Sequence, residues 1–276
     1  MVKIQAKINL ACGGVFVTGD NWINIDYSRA GSNVRSADLL APLPLPDNGA
    51  TLVYSSHFLE HIPRCEVPSF LGQCWRVLAP GGVLRIVLPD LENICRTYLA
   101  HRDLGEHEKA DFVVLEMIDQ CVRRDSGGEL GRLYRTLKAN PRDNSTLIDF
   151  VRERTGDDLL RRSLSRDTES SGGGRLARRV QRRIERLWTD IVLNLLPTAF
   201  RAQNVSLAGV GERHHWMWDF HQLRQVLEGV GFAEIGRCEA TSSRFIDFPF
   251  HPLDLDVAGH PRKGAESMYI EALKPG

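Results

Sequence analysis

Val67-Pro68-Ser69-Phe70-Leu71-Gly72-Gln73-Cys74-Trp75-Arg76-Val77-Leu78-Ala79-Pro80-Gly81-Gly82-Val83-Leu84-Arg85-Ile86-Val87-Leu88-Pro89-Asp90 contains the change of period that decides the fold. From about Val67 to Val77 the residues Phe70, Leu71, Cys74, Val77 and Leu78 recur at helical spacing, whereas Val83–Leu88 is a short apolar run of strand length. Between them Ala79-Pro80-Gly81-Gly82 stops the helix, because proline removes a backbone donor and glycine favours a turn. A further apolar run at Leu52–Ser55 precedes the helix. Strand, helix, Pro-Gly-Gly and strand make a βαβ unit, which lays the two strands parallel.

Working outward, short apolar runs separated by turn residues predict strands at Ile8–Leu10, Trp22–Ile25 and Ser36–Asp38. Between about Ile94 and Glu212 the texture becomes charged, helical and punctuated by Gly and Ser. Beyond it, Asp219–Gly231 predicts a helix whose apolar stripe is Leu223, Val226, Leu227 and Val230, followed by strands at Ala233–Ala240 and Ser267–Leu273. The expected organisation is therefore a core over 1–93, a helical insertion over 94–212, and a return to the core over 213–276. Within the insertion, Ser170-Ser171-Gly172-Gly173-Gly174 reads as a flexible joint. It precedes a helix whose Leu176, Val180, Ile184, Leu187 and Ile191 share one face while six arginines crowd the rest.

With 42% hydrophobic residues, the 276-residue chain can bury a full core. Its 35 Lys and Arg balance 35 Asp and Glu, so the whole molecule exerts no general attraction on nucleic acid or anionic membranes. Six scattered cysteines form no CxxC pair, which argues against a disulfide framework and a zinc site; no metal ligands are expected, and a reducing, cytoplasmic setting fits. No run of 18 apolar residues predicts a membrane span.

Glycines at the carboxyl end of a strand let backbone approach a ligand closely, and Asn9-Leu10-Ala11-Cys12-Gly13-Gly14 is such a segment. In a Rossmann-like fold a carboxylate at the end of the next strand accepts hydrogen bonds from ribose hydroxyls, and Asp26 stands there. Asp38 ends the third predicted strand. The fourth runs into Ser55-Ser56-His57-Phe58-Leu59-Glu60-His61-Ile62.

In order along residues 8–90, NLACGG, NID, LPLPDN, SSHFLEHI and WRVLAPGGVLRIVLPD resemble the successive motifs of the class I S-adenosylmethionine (SAM)-dependent methyltransferases, in particular the methyltransferase type 11 group. The resemblance implies an α/β fold, a Rossmann-like and mostly parallel seven-strand sheet, here with a helical insertion. It implies SAM as cofactor, with Asn9 and Ala11, Cys12, Gly13 and Gly14 around its methionine and ribose and Asp26 and Tyr27 at the ribose hydroxyls. Asp38 and Leu39 would stand near the adenine, and Ser56, His57 and His61 at the floor under the sulfonium; Glu60 and His61 belong to the signature and either cap the loop or touch ligand.

Two features depart from that pattern. Ala11 replaces a usual glycine, so its φ is expected to be negative unless the alanine is strained. About a dozen residues separate Gly13 from Asp26, too few for a crossover helix. The first helix is therefore expected to be short or missing, leaving a flank of the sheet for the insertion or a second copy of the chain to cover, so a homo-oligomer is among the expected states.

A hydroxyl acceptor must lose a proton, and histidine suits that task near neutral pH. The candidates are His57 and the pair His214-His215 in ERHHWMWD, a stretch that resembles one in the same group and re-enters the core beside the cofactor. Alternatively Trp216 and Trp218 are core anchors and His214 caps the next helix. Asp90 is a further candidate base, or the N-cap of a helix from Leu91. Aromatic faces beside histidines suit a sugar ring, and the group's members point to a glycan or secondary-metabolite hydroxyl; the arginines of 175–191 add an anionic or lipid-linked acceptor, a lid or an interface. A non-catalytic scaffold is the competing class. An NAD-dependent oxidoreductase is disfavoured because GxGxxG is absent from the first turn.

Overall fold

The structure, a computed structural model, describes residues 6–19, 21–28, 31–160, 188–189, 191–198, 200–201, 205–206, 208 and 211–276. Seven strands form one sheet: β1 (Ala6–Leu10), β2 (Trp22–Asp26), β3 (Val34–Ser36), β4 (Ala50–Ser56), β5 (Leu78–Pro89), β6 (Ala233–Cys238) and β7 (Ser267–Leu273). Their order is β3-β2-β1-β4-β5-β7-β6. The pairs from β3 to β5 are parallel, and β7 runs antiparallel to both β5 and β6. The chain switches direction across the sheet between β1 and β4, which opens a crevice at the carboxyl ends of those strands, where ligands bind in open α/β sheets.

Period-two alternation divides the central strands between two apolar layers. Val53, Leu84, Ile86 and Leu88 join Ile8, Leu10 and Ile25 under helices α1 (Val67–Val77) and α6 (Phe220–Val230). Leu52, Tyr54, Val83 and Val87 face the opposite way, against Ala240, Phe248 and Leu253, with Val15, Val17 and Trp22 alongside. The predicted helix over 67–77 and the helix over 220–230 both form, the latter capped by Asp219 accepting from the Gln222 N–H. Val34–Ser36 lies two residues earlier than the predicted third strand, so Asp38 falls in the following turn. The Pro-Gly-Gly segment ends α1 as expected but is drawn into β5, because Gly81 and Gly82 pair with the Lys274 backbone.

No helix links β1 to β2 among the described residues. Asparagine side chains do the work that a helix would do: Asn9 and Asn24, which pair in register, hydrogen-bond each other at 3.1 Å and donate to the Val15 and Val17 carbonyls at 3.0 Å each. The expectation that the insertion or a second copy covers this flank is corrected. The cover is the chain's own segment between β6 and β7, pinned by fully buried Arg85, which pairs with Asp254 and Glu271 at 2.7 Å each and donates to the Ser242 and Glu239 carbonyls. Buried charges persist only when paired in this way.

Four helices follow β5: α2 (Leu91–Asp103), α3 (His107–Val122), α4 (Gly128–Ala139) and α5 (Ser145–Thr155). They enclose a separate apolar core around Ile94, Phe112, Val113, Ile148 and Val151. The Gly/Ser joint at 170–174 lies outside the described residues, as does most of the arginine-rich helix expected over 175–191.

Candidate active site

The sheet's carboxyl edge opens into a cavity of about 560 Å³. One wall consists of the loop after β1 and the end of β4. Ala11 and Gly13 both adopt left-handed backbone, each with φ of 53°, so Ala11 takes the strained alternative, one that costs an alanine about 1–2 kcal/mol. The turn is fixed by Asp26, whose Oδ2 accepts from the Gly13 N–H at 2.9 Å while Oδ1 accepts from the Ser28 N–H and hydroxyl. His57, at the end of β4, is also left-handed (φ 52°) and is held there as its N–H donates to the Val87 carbonyl.

The opposite wall comes from the helical layer and from the segment before β7: Glu116, Gln120, Arg123 and Tyr134 on one part, Arg262, Lys263 and Glu266 on the other. Two glycines allow these parts to meet. A methyl group on Gly156 would lie 2.3 Å from the Arg262 carbonyl oxygen, and one on Gly264 would lie 2.3 Å from that of Arg154. Backbone bonds from Ala265 to Glu153 and from Glu266 to Arg154 then dock the segment on the end of α5. Beneath it, buried Arg154 pairs with Glu116 at 2.7 Å and donates to Asn93.

Histidines gather where the walls join. His57 Nε2 lies 3.0 Å from the Ser267 hydroxyl, which itself reaches the Lys263 carbonyl. Its Nδ1 is 3.3 Å from Glu60 Oε1. His61 Nδ1 donates to the Arg213 carbonyl, and the His61 and His214 rings meet edge-on at 4.8 Å. The Glu60 carbonyl accepts from the His215 N–H, and His214 donates its N–H to Gln120, so the 213–216 strap ties the β4 turn to α3. Burial holds His57 and His61 below the usual imidazole range and pushes His214 down to about 3, with the His61 ring adding to the effect. Burial raises the Glu60 carboxyl and lowers the Lys263 ammonium; it also lifts the Cys12 thiol to about 12, Asp26 adding to the rise.

Of the residues named from sequence, Asn9, Ala11, Cys12, Gly13, Gly14, Ser56, His57, His61 and His214 border this cavity. Asp26 stands behind the glycine turn. Tyr27 is 69% exposed, Leu39 is absorbed into the core beneath α1, and Asp38 caps its own turn through the Leu40 N–H. His215 is exposed. Asp90 is the N-cap of α2, pairs with Arg237 at 2.5 Å and borders a second cavity. Trp218 is a core anchor, whereas Trp216 lies at the surface under the Arg64 guanidinium. Sequence reasoning missed Glu116, Arg123, Tyr134, Arg262, Lys263, Glu266 and Ser267; the one local signal was the glycine of Arg262-Lys263-Gly264.

Residues 20–86 match the family model described as a methyltransferase domain. A relative named "Probable S-adenosylmethionine-dependent methyltransferase", from Mycolicibacterium smegmatis, is 35% identical over 77 residues, a stretch amounting to 25% of this chain and 29% of the relative. Among solved structures, a SAM-dependent methyltransferase from Archaeoglobus fulgidus aligns with 99% of this chain and 87% of its own at 13% identity and a TM-score of 0.39. One from Mesorhizobium loti aligns with 34% and 50% at 20% identity and a TM-score of 0.26. Residues 20–86 are thus similar to the methyltransferase domain family, and they lie within a seven-strand, mostly parallel sheet of Rossmann-like order.

Proposed function

We propose that this chain transfers a methyl group from SAM to a hydroxyl of a sugar, glycan or secondary metabolite bound in the 560 Å³ cavity. The observation that carries the reading is the Asp26 carboxylate locked to the Gly13 N–H, which sets an acid directly behind the open glycine turn that lines the cavity. The residues present suit such a cofactor: nothing lies within 4 Å of the position a Gly13 side chain would take, and the volume falls in the usual range for ligand sites, roughly 300–1,000 Å³. Asp26 Oδ2 accepts one internal hydrogen bond and keeps a lone pair for a ribose hydroxyl, whereas Oδ1 is filled by the Ser28 N–H and hydroxyl.

When bound, SAM supplies an electrophilic methyl group on a good leaving group, so positioning of the acceptor carries much of the rate. Ser56 and His57 lie on the β4 side of the cavity, and Tyr134, Arg123 and Lys263 face them from the acceptor side. His57 lines the cavity and takes the acceptor's proton once the acceptor hydroxyl replaces Ser267 at its Nε2. Of the other bases read from sequence, His215 and Asp90 lie outside the cavity lining, and His214 borders the cavity but is buried. Arg262 and Lys263, on the segment before β7, are the groups that would meet an acceptor carrying negative charge, beside the carboxylates Glu116, Asp157 and Glu266 of the same lining.

Calorimetry with SAM and S-adenosylhomocysteine, followed by a radiolabelled methyl-transfer assay on extracts fractionated into glycans, lipids, proteins and nucleic acids, tests the reading. Binding together with label in the glycan or small-molecule fraction supports it. Absence of binding to either ligand overturns it in favour of a scaffold.

A further inference from the structure

We propose that Glu60, His61 and His214 form a binding site for one divalent transition-metal ion of the zinc class, at the junction of the two cavity walls. One ligand atom from each residue lies within 4.8 Å of the others. In a tetrahedral site with metal–ligand bonds of about 2.0–2.1 Å, ligand atoms stand about 3.3 Å apart, so the three groups need only close inward, and Glu60 and His214 can do so by side-chain rotation.

Two independent features point to a missing partner. Among the described residues, Glu60 Oε1 and Oε2 and His214 Nδ1 are buried without a hydrogen bond; His57 Nδ1 stands 3.3 Å from Oε1 as an ion-pair contact only, and Glu60 is 1% and His214 5% exposed. Leaving three such atoms unsatisfied is costly, and native proteins rarely do it without a reason. His61, in turn, is prepared as a ligand. Its Nδ1–H is spent on the Arg213 carbonyl at 2.9 Å, which fixes the tautomer and leaves the Nε2 lone pair facing Glu60 at 3.8 Å. Metal-bound histidines are characteristically oriented by just such a bond from the other ring nitrogen to a carbonyl.

Two imidazole nitrogens and one carboxylate oxygen suit zinc or cobalt over magnesium or calcium, which prefer all-oxygen shells. Three protein ligands leave a coordination position toward the cavity, the pattern of an open rather than a closed site. The Lys263 ammonium and Arg123 guanidinium act on the same groups from the acceptor wall. Lys263 is therefore the rival positive charge for Glu60.

Metal content is measured with neither cofactor nor acceptor, so this inference stands or falls separately from methyl transfer. The test strips the full chain with a chelator, titrates it with zinc against a chromophoric competitor, and records the cobalt spectrum at one equivalent. Expected are one zinc per chain, the intense visible bands of low-coordinate cobalt, and an affinity weakened about tenfold or more in Glu60→Gln and His214→Ala but unchanged in His221→Ala, whose ring lies on the surface of α6. Equal zinc affinity in the wild type and in folded Glu60→Gln and His214→Ala would overturn the site and leave Lys263 as the partner of Glu60. Should either variant fail to fold, the wild-type cobalt spectrum decides, since weak octahedral bands at one equivalent would refute the site.

Discussion

The two walls of the central cavity are built by opposite means. On the β1/β4 side the backbone turns at the strand ends, not the histidine rings, are fixed by bonds to the same turn or the neighbouring strand, as Gly13 is by Asp26 and His57 by Val87. On the far side the bonds that join its parts are long-range: Arg154 reaches Glu116 across 38 residues, and Ala265 and Glu266 dock on α5 from more than a hundred residues away. A wall of the first kind tolerates loss of one contact, whereas the second rests on a few buried charges and close backbone contacts.

The largest effect is therefore expected at Arg154→Met, which strands Glu116 and Glu266 without their cation. Removing one partner of a buried pair costs about 3–5 kcal/mol, to be read as a fall of about 10 °C in Tm by calorimetry. A fall under about 2 °C would show that the far wall does not depend on this charge.

Asp26→Ala tests the near wall. Loss of hydrogen bonds to a charged group, about 1.5–3 kcal/mol, predicts S-adenosylhomocysteine binding weaker by about 10–100-fold in titration calorimetry. Tm should change by much less than in Arg154→Met. Unchanged affinity would place the cofactor elsewhere.

Glu266 sharpens the contrast through pH. Burial, then Glu116, raises its carboxyl well above the ordinary value of 4.5. The folded state thus holds the proton to higher pH than the unfolded chain, so the contribution is complete below about 4.3 and is lost as pH rises toward the folded value. Glu266→Gln cannot ionise. Its Tm should gain on the wild type steadily between pH 5 and pH 8, with S-adenosylhomocysteine affinity unchanged within about twofold; a gap that does not vary with pH would mean that Glu266 is ionised throughout.

The smallest effect is expected at Ala11→Gly. Relief of left-handed strain, about 1 kcal/mol, is offset by the greater freedom of glycine in the unfolded chain, about 0.4–1 kcal/mol. A net gain below about 1 kcal/mol in chemical denaturation follows. A clear loss would show that the Ala11 methyl earns more by packing on the core than its backbone strain costs.

Much of the near wall was legible in advance. Asn9, the 11–14 turn, Ser56, His57 and His61 border the cavity because they stand at strand ends, and the period that marks a strand end is local. The absence of the first crossover helix was likewise readable from the short spacing between Gly13 and Asp26. The flank's cover was misjudged, since nothing near Arg85 in the chain announces that it will meet Asp254 and Glu271. Asp90, read as a base or as the N-cap of a helix from Leu91, is that cap, and its pairing with Arg237, 147 residues away, was not announced by the sequence.

The succession of strands along the chain, the glycine turn, the acid that ends β2 and the histidines of the 57–61 turn are properties of short stretches, and chain periodicity with backbone stereochemistry dictates them wherever they occur. The facing wall, the orphaned carboxylate of Glu60 and its meeting with His214 exist only once distant segments are packed together. Burial and pairing depend on three-dimensional neighbours, and it is burial that turns an ordinary glutamate and two ordinary histidines into a site.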